Sequence, residues 1–244
     1  MTAFLSFPYP DRIELFADGA TCLPNGLLIA ATDKIVVSRQ VPLAVVGRGN
    51  HGDLVKMTDA ILKLTACGSI DDTLEQLAGA LDDVRVDPGE PPGQHFELVI
   101  AAYSETHGPC HFVLNSYGGP ELPAWTLIDR SGEMIGGGNV PSPADVEAAG
   151  LNAETFANGA AVGGLALMEM MRRLPGKDET REGATHGFWI GCHVDHAVIS
   201  AAGVSVIRLH TWPDQLFKPI EPYRDLSAGD PAAGPNGPVS SSSV

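Results

Sequence analysis

Thr2, Asp18 and Lys34 are the residues whose types and spacing could do chemistry together in this chain. Methionine aminopeptidase removes an initiator Met when a small residue such as Thr follows. Here that would leave Thr2 with a free α-amine beside its own hydroxyl. Such a hydroxyl can use its amine as base and needs no distant His. Asp18 follows sixteen residues after Thr2, and Lys34 thirty-two after it. A nearby Lys would lower the hydroxyl pKa, and an Asp would keep that Lys charged and in place. The expected chemistry is attack on a peptide carbonyl, an ester intermediate, and its release to water. Each residue also has an ordinary reading. Thr after Met is a common start, Asp18-Gly19 is a turn signal, and Lys34 could be a solvated strand-edge cation paired with Asp33.

This trio needs one strand to carry Thr2, a return strand to deliver Asp18, and a further segment to bring Lys34 back. T-A-F-L-S-F and R-I-E-L-F-A-D flank P-Y-P-D, so a hairpin is predicted over 3–7 and 13–17 with Pro8 and Pro10 at its cap. L-P-N-G (23–26) is a second turn signal. L-L-I-A-A (27–31), K-I-V-V-S (34–38) and P-L-A-V-V-G (42–47) read as short strands. A helix is expected from Gly52-Asp53, with Leu54, Met57, Ile61, Leu62 and Leu64 at helical spacing. A second spans 69–81, with Ser69 as N-cap and Asp71 and Asp72 in its first turn. D-P-G-E-P-P-G (87–93) is a loop. Strands return over 96–103 and 110–117, and a hairpin is expected over 125–138, turning at Ser131-Gly132. A helix begins at S-P-A-D (142–145) with Pro143 first, and 159–174 reads as a helix that is apolar at its start and basic at its end. The last strands are expected over 196–202 and 204–210.

The 244 residues suffice for one large domain, expected over 2–222. Residues 223–244, rich in Gly, Pro and Ser, are expected to form a disordered tail. A formal net charge of −15 argues against nucleic acid or an anionic membrane as partner. Cys22, Cys67, Cys110 and Cys192 lack the paired spacing of a zinc ribbon or a secreted disulfide scaffold. No apolar run reaches membrane-span length and no basic-then-apolar leader opens the chain, so a cytoplasmic location is expected.

The spacing of Thr2, Asp18 and Lys34 resembles that of the proteolytic subunits of the proteasome and their bacterial relative HslV. D-G-A-T (18–21) is similar to a D-G-x-A-T or D-x-R-A-T run of that family, and K-I-V-V-S to its Lys-led strand. V-V-G-R-G-N-H-G-D (45–53) resembles the Gly-rich turn that supplies its oxyanion N–H. The resemblance covers roughly residues 2–210. It implies an α+β fold, a four-layer αββα sandwich, and a threonine-type peptidase or amidohydrolase. Thr2 would be nucleophile and base, Lys34 would lower its pKa, Asp18 would hold Lys34, and the Gly47–Gly49 turn would bind the oxyanion. It further implies a peptide or amide substrate, assembly into a ring or other homo-oligomer, and a separate ATP-driven unfoldase as partner; no cofactor or metal is expected.

Three positions depart from the pattern. Arg48 holds the oxyanion-glycine position when the runs are laid together without a gap. The Ser of an I-G-S-G-like run is replaced by Gly137 in I-G-G-G (135–138). The acid that supports that Ser is missing from H-G-F-W-I-G-C (186–192), and Asp195 falls out of register. Those groups tune the amine, and acid–base help is worth about 10²–10⁴-fold, so a slow or dead enzyme is a rival expectation. The rival function is a non-catalytic structural or assembly protein on the same fold. A third reading is metal binding through His193, Asp195 and His196. On a strand, though, His193 and Asp195 would share one face while His196 points away.

Overall fold

The computed structural model describes residues 2–23, 25–86, 96–119, 122–177 and 186–223. The first hairpin joins β1 (Phe4–Tyr9) to β2 (Arg12–Asp18). Phe4, Ile13, Leu15 and Ala17 enter one core cluster, while Leu5, Phe7 and Phe16 enter another. Both faces are therefore covered, which is why these strands read as continuous apolar runs rather than as an alternation. Next come β3 (Ala20–Cys22), β4 (Leu28–Ala31), β5 (Val36–Val37) and β6 (Leu43–Gly49). The helices α1 (His51–Leu64) and α2 (Ile70–Val86) are joined by a 3₁₀ turn at Thr65–Cys67. The chain then forms β7 (Phe96–Ser104), β8 (Gly108–Asn115), β9 (Ile128–Asp129) and β10 (Ile135–Gly137). Short α3 (Pro143–Ala148) and α4 (Ala153–Phe156) precede α5 (Ala161–Arg172). Finally come β11 (Gly176–Lys177), β12 (His186–Gly187), β13 (His193–Ser200) and β14 (Gly203–Thr211).

Two five-stranded antiparallel sheets, β10-β1-β2-β13-β14 and β5-β6-β7-β8-β9, face one another. Phe4, Ile13, Leu15, Ala197 and Ile199 of the first meet Ala44, Val46, Val99, Ala101 and Val113 of the second. The outer face of the second sheet packs on α1 and α2 through Ile61, Ile70, Leu77 and Leu81. The outer face of the first packs on α5 through Leu167, Met168 and Met171. Gly163 and Gly164 let α5 sit close, since a Cβ there would overlap the rings of Phe156 and Phe16.

The expected four-layer αββα sandwich is corrected to a mixed α/β arrangement of stacked antiparallel sheets with unequal helical cover. The second sheet has two long helices over it, whereas α3 and α4 are six- and four-residue helices with no buried residue. That side therefore carries one twelve-residue helix rather than a full layer. The hairpin expected over 125–138 is also corrected. β9 pairs with β8 of the second sheet and β10 with β1 of the first, so this segment crosses between the sheets. A turn closed by Glu133 N–H on the Arg130 carbonyl directs that crossing. The strand expected over 34–38 shrinks to Val36–Val37, leaving 32–35 outside any ladder. Residues 87–93, expected as a loop, and the tail from 224 lie outside the described residues. Among the described residues no helix is long and apolar enough to cross a membrane.

Candidate active site

Asp18 ends β2 and is almost wholly buried, and its carboxylate organises everything around it. Oδ1 accepts from the backbone N–H of Ala3 at 2.9 Å and from Lys34 Nζ at 2.8 Å. Oδ2 accepts from the N–H of Ala20 at 3.0 Å and of Gly191 at 3.2 Å. Lys34 Nζ also donates to the Ala20 carbonyl at 2.6 Å. With four donors converging, the carboxylate has little freedom, and losing one partner of such a buried pair costs about 3–5 kcal/mol. Lys34 itself reaches in from the unladdered segment between β4 and β5, with its side chain 12% exposed.

Thr2 precedes β1 and is buried at the same spot, since Ala3 is its neighbour and the Ala3 carbonyl accepts from Asp18 N–H at 3.1 Å. Gly138 closes in from β10: with φ of +104°, a Cβ there would stand 3.3 Å from the Thr2 carbonyl oxygen. The start of the chain, Asp18 and Lys34 are thus brought together. Gly47 and Gly49 are not among the hydrogen-bonding partners of that group. They extend β6 in ladder register with Leu98 and Phe96. A Cβ at Gly47 would overlap Leu98, and Gly49 takes the φ of +122° that starts the turn into α1, whose N-cap is Asn50. Arg48 points its guanidinium to Glu97, its cross-strand partner, at 2.7 Å.

Gly137 is the register partner of Phe4, and the Phe4 ring fills the space that any side chain at 137 would take. The departure there is a packing requirement of this chain. Cys192 has φ of +65°, held by its N–H on Asp214 Oδ2 at 2.7 Å and by Trp212 N–H on its carbonyl at 2.9 Å. That bend brings the Gly191 N–H to Asp18. Burial pushes the Cys192 and Cys22 thiols up to about 11, so neither is a ready thiolate.

The three residues of the metal reading are not brought together. His196 turns to the α5 side, stacked on Phe16 at 4.4 Å with Nε2 3.0 Å from Glu14 Oε2. His193 and Asp195 share the opposite face and meet Asp33 instead, with one ligand atom from each lying within 4.8 Å of the others. Among them lies Arg208 Nη2, 2.6 Å from Asp33, 3.1 Å from His193 Nε2 and 3.3 Å from Asp195. The position a cation would take is held by a guanidinium. Sequence reading offered Asp33 as a surface partner of Lys34, whereas Lys34 turns to Asp18 and Asp33 takes Arg208; Arg208 and the backbone donors of Ala20 and Gly191 it missed. Asp33 is 160 residues from His193, and no local pattern announces such a meeting.

No protein-family model matches the chain, and no curated protein matches it. Among solved structures it is similar to an Anbu (Gly-1) mutant from Hyphomicrobium sp. strain MC1, with a TM-score of 0.61 at 13% identity. That alignment covers 88% of this chain and 89% of the other. The likeness shows a proteasome-like fold. The expected kinship with proteasome β subunits and HslV is corrected to that statement, because identity so low carries a fold and no family.

Proposed function

We propose that the chain is a threonine-type amidohydrolase acting on peptide or amide bonds, with Thr2 as nucleophile once Met1 is removed. The observation that carries the reading is the shared Asp18 oxygen, which holds Lys34 Nζ at 2.8 Å and the N–H next to Thr2 at 2.9 Å. A part-buried ammonium held near the Thr2 hydroxyl would favour its ionised form, and the α-amine would supply the base. In this reading Asp18 and Lys34 prepare the nucleophile, and the Gly47–Gly49 turn is the candidate oxyanion donor. Gly138, where a Cβ would stand 3.3 Å from the Thr2 carbonyl oxygen, lets the chain after β10 lie against the backbone of Thr2 and Ala3.

A specific observation favours a second reading, a non-catalytic scaffold on the same fold. The Phe4 ring bars any side chain from position 137, so the hydroxyl that would assist the amine has no place. Intact mass of the native protein, before and after an epoxyketone directed at N-terminal threonine, separates the two. Loss of Met1 and one adduct that vanishes in Thr2→Ala supports the hydrolase. Retained Met1 and no adduct sinks it and leaves the scaffold.

A further inference from the structure

Lys34 lies in a segment, residues 32–35, that no sheet ladder holds. One end is tied by the Thr32 N–H to the Gly19 carbonyl at 2.8 Å and by the Thr21–Thr32 hydroxyl pair at 3.0 Å. The other end is anchored by buried Ile35 in the core between the sheets. Between them Asp33 is largely exposed, yet its carboxylate receives Arg208 Nη2 at 2.6 Å. Arg208 is itself fixed from below. Its Nε and Nη2 fork onto Asp195, its partner across the β13–β14 ladder, at 3.0 and 3.3 Å. Its Nη2 also lies 3.1 Å from His193 Nε2, which is itself 3.2 Å from Asp195 Oδ2. The His193 ring in turn lies against Gly19, where a Cβ would overlap it. Gly19 is the residue between Asp18 and Ala20, the two groups that receive Lys34 Nζ.

We propose that Arg208 is a positioning residue for Lys34, tying its segment through Asp33 to the buried Asp195 and His193 of β13. An exposed ion pair is ordinarily weak because two long side chains must be ordered to form it. Here the guanidinium is already ordered by a buried carboxylate, so the second bond to Asp33 constrains the segment at little further cost. The inference rests on Lys34 belonging to the site, but its readout needs no turnover.

The test is pulsed acylation of lysine amines, followed by peptide mass mapping, with Lys56 and Lys63 on α1 as internal references. In Asp33→Ala, which leaves the Arg208–Asp195 fork intact, Lys34 should label about fivefold faster relative to those references, the size of one exposed ion pair. Arg208→Lys, which keeps a cation for Asp195 but loses the fork, should move the same way. Arg85→Ala, which breaks an exposed ion pair with Asp82 on α2, should leave the rate unchanged. Lys34 labelling at the wild-type rate in both Asp33→Ala and Arg208→Lys would overturn the proposal. If Thr2 proves inert to the epoxyketone while Asp33→Ala still unmasks Lys34, the tether stands and the hydrolase reading falls.

Discussion

At position 137 the backbone has room for hydrogen alone, because the Phe4 ring lies where a side chain would begin. Gly137→Ser should therefore destabilise rather than restore a helper hydroxyl. Overpacking of this kind costs about 1–3 kcal/mol, and each kcal/mol lowers the melting temperature by about 2–4 °C in a chain of this size. The Phe4→Leu background should absorb part of that loss, a non-additivity that thermal unfolding of the two single variants and the double would reveal. Equal losses in both backgrounds would show that Phe4 is not the obstacle. Lys34→Met tests the other half of the site. Peptide or epoxyketone reactivity of Thr2 should fall by about 10²–10⁴-fold, the usual worth of positioned proton-transfer help. A rate within twofold of wild type would remove Lys34 from the chemistry.

At the scale of elements, α2 shows what a local reading captures and what it leaves. Ser69 was legible as its cap from type and position, and its Oγ accepts from Asp72 N–H at 3.2 Å. Glu105 was not legible, although its carboxylate takes the Ile70 and Asp71 N–H groups at 2.8 and 3.0 Å from the far end of β7. Capping by a distant carboxylate leaves no mark on the helix's own sequence. Glu105→Ala should cost about 0.5–2 kcal/mol, measured by denaturant unfolding, with the loss concentrated in amide exchange at the start of α2. Unchanged protection there would mean that Ser69 suffices. The same distinction runs through the fold. The hairpin, α1, β7, β8 and α5 could be read because each carries its own pattern. The segment 125–138 could not, because Ser131-Gly132 looks like a hairpin turn while the flanking strands belong to different sheets. The Asp18–Lys34 pair was expected from a resemblance in spacing, since the residues alone also allowed a turn Asp and a surface Lys. The Gly191 N–H that completes it comes from the other end of the chain.

At the scale of the whole molecule, two buried polar links fasten the layers, and both resist acid only to a point. Ser6 of β1 and His111 of β8 meet between the sheets at 2.7 Å, and His111 Nε2 lies 2.6 Å from the Arg130 carbonyl. A carbonyl only accepts, so Nε2 carries the proton and Nδ1 accepts from the Ser6 hydroxyl. Burial lowers the His111 pKa below its ordinary 6.5. The unfolded chain then binds a proton that the folded one refuses, so stability is full above about 6.5 and declines as pH falls below it. On the outer face, Glu14 takes the Ala160 N–H at the start of α5 at 2.9 Å and pairs with His196. Burial opposes its charge, but the bonds from His196, Ala160 and Arg12 outweigh that and hold its pKa below the ordinary 4.5. Its contribution is present above about 4.5 and is lost as pH falls through the folded value. Melting temperature should therefore fall in two stages between pH 8 and pH 3. His111→Gln should erase the upper stage while keeping a polar link to Ser6, and Glu14→Gln should flatten the lower one. A single transition left unmoved by His111→Gln would mean that the sheets are joined by their apolar contacts alone, with the Ser6–His111 link adding no pH dependence.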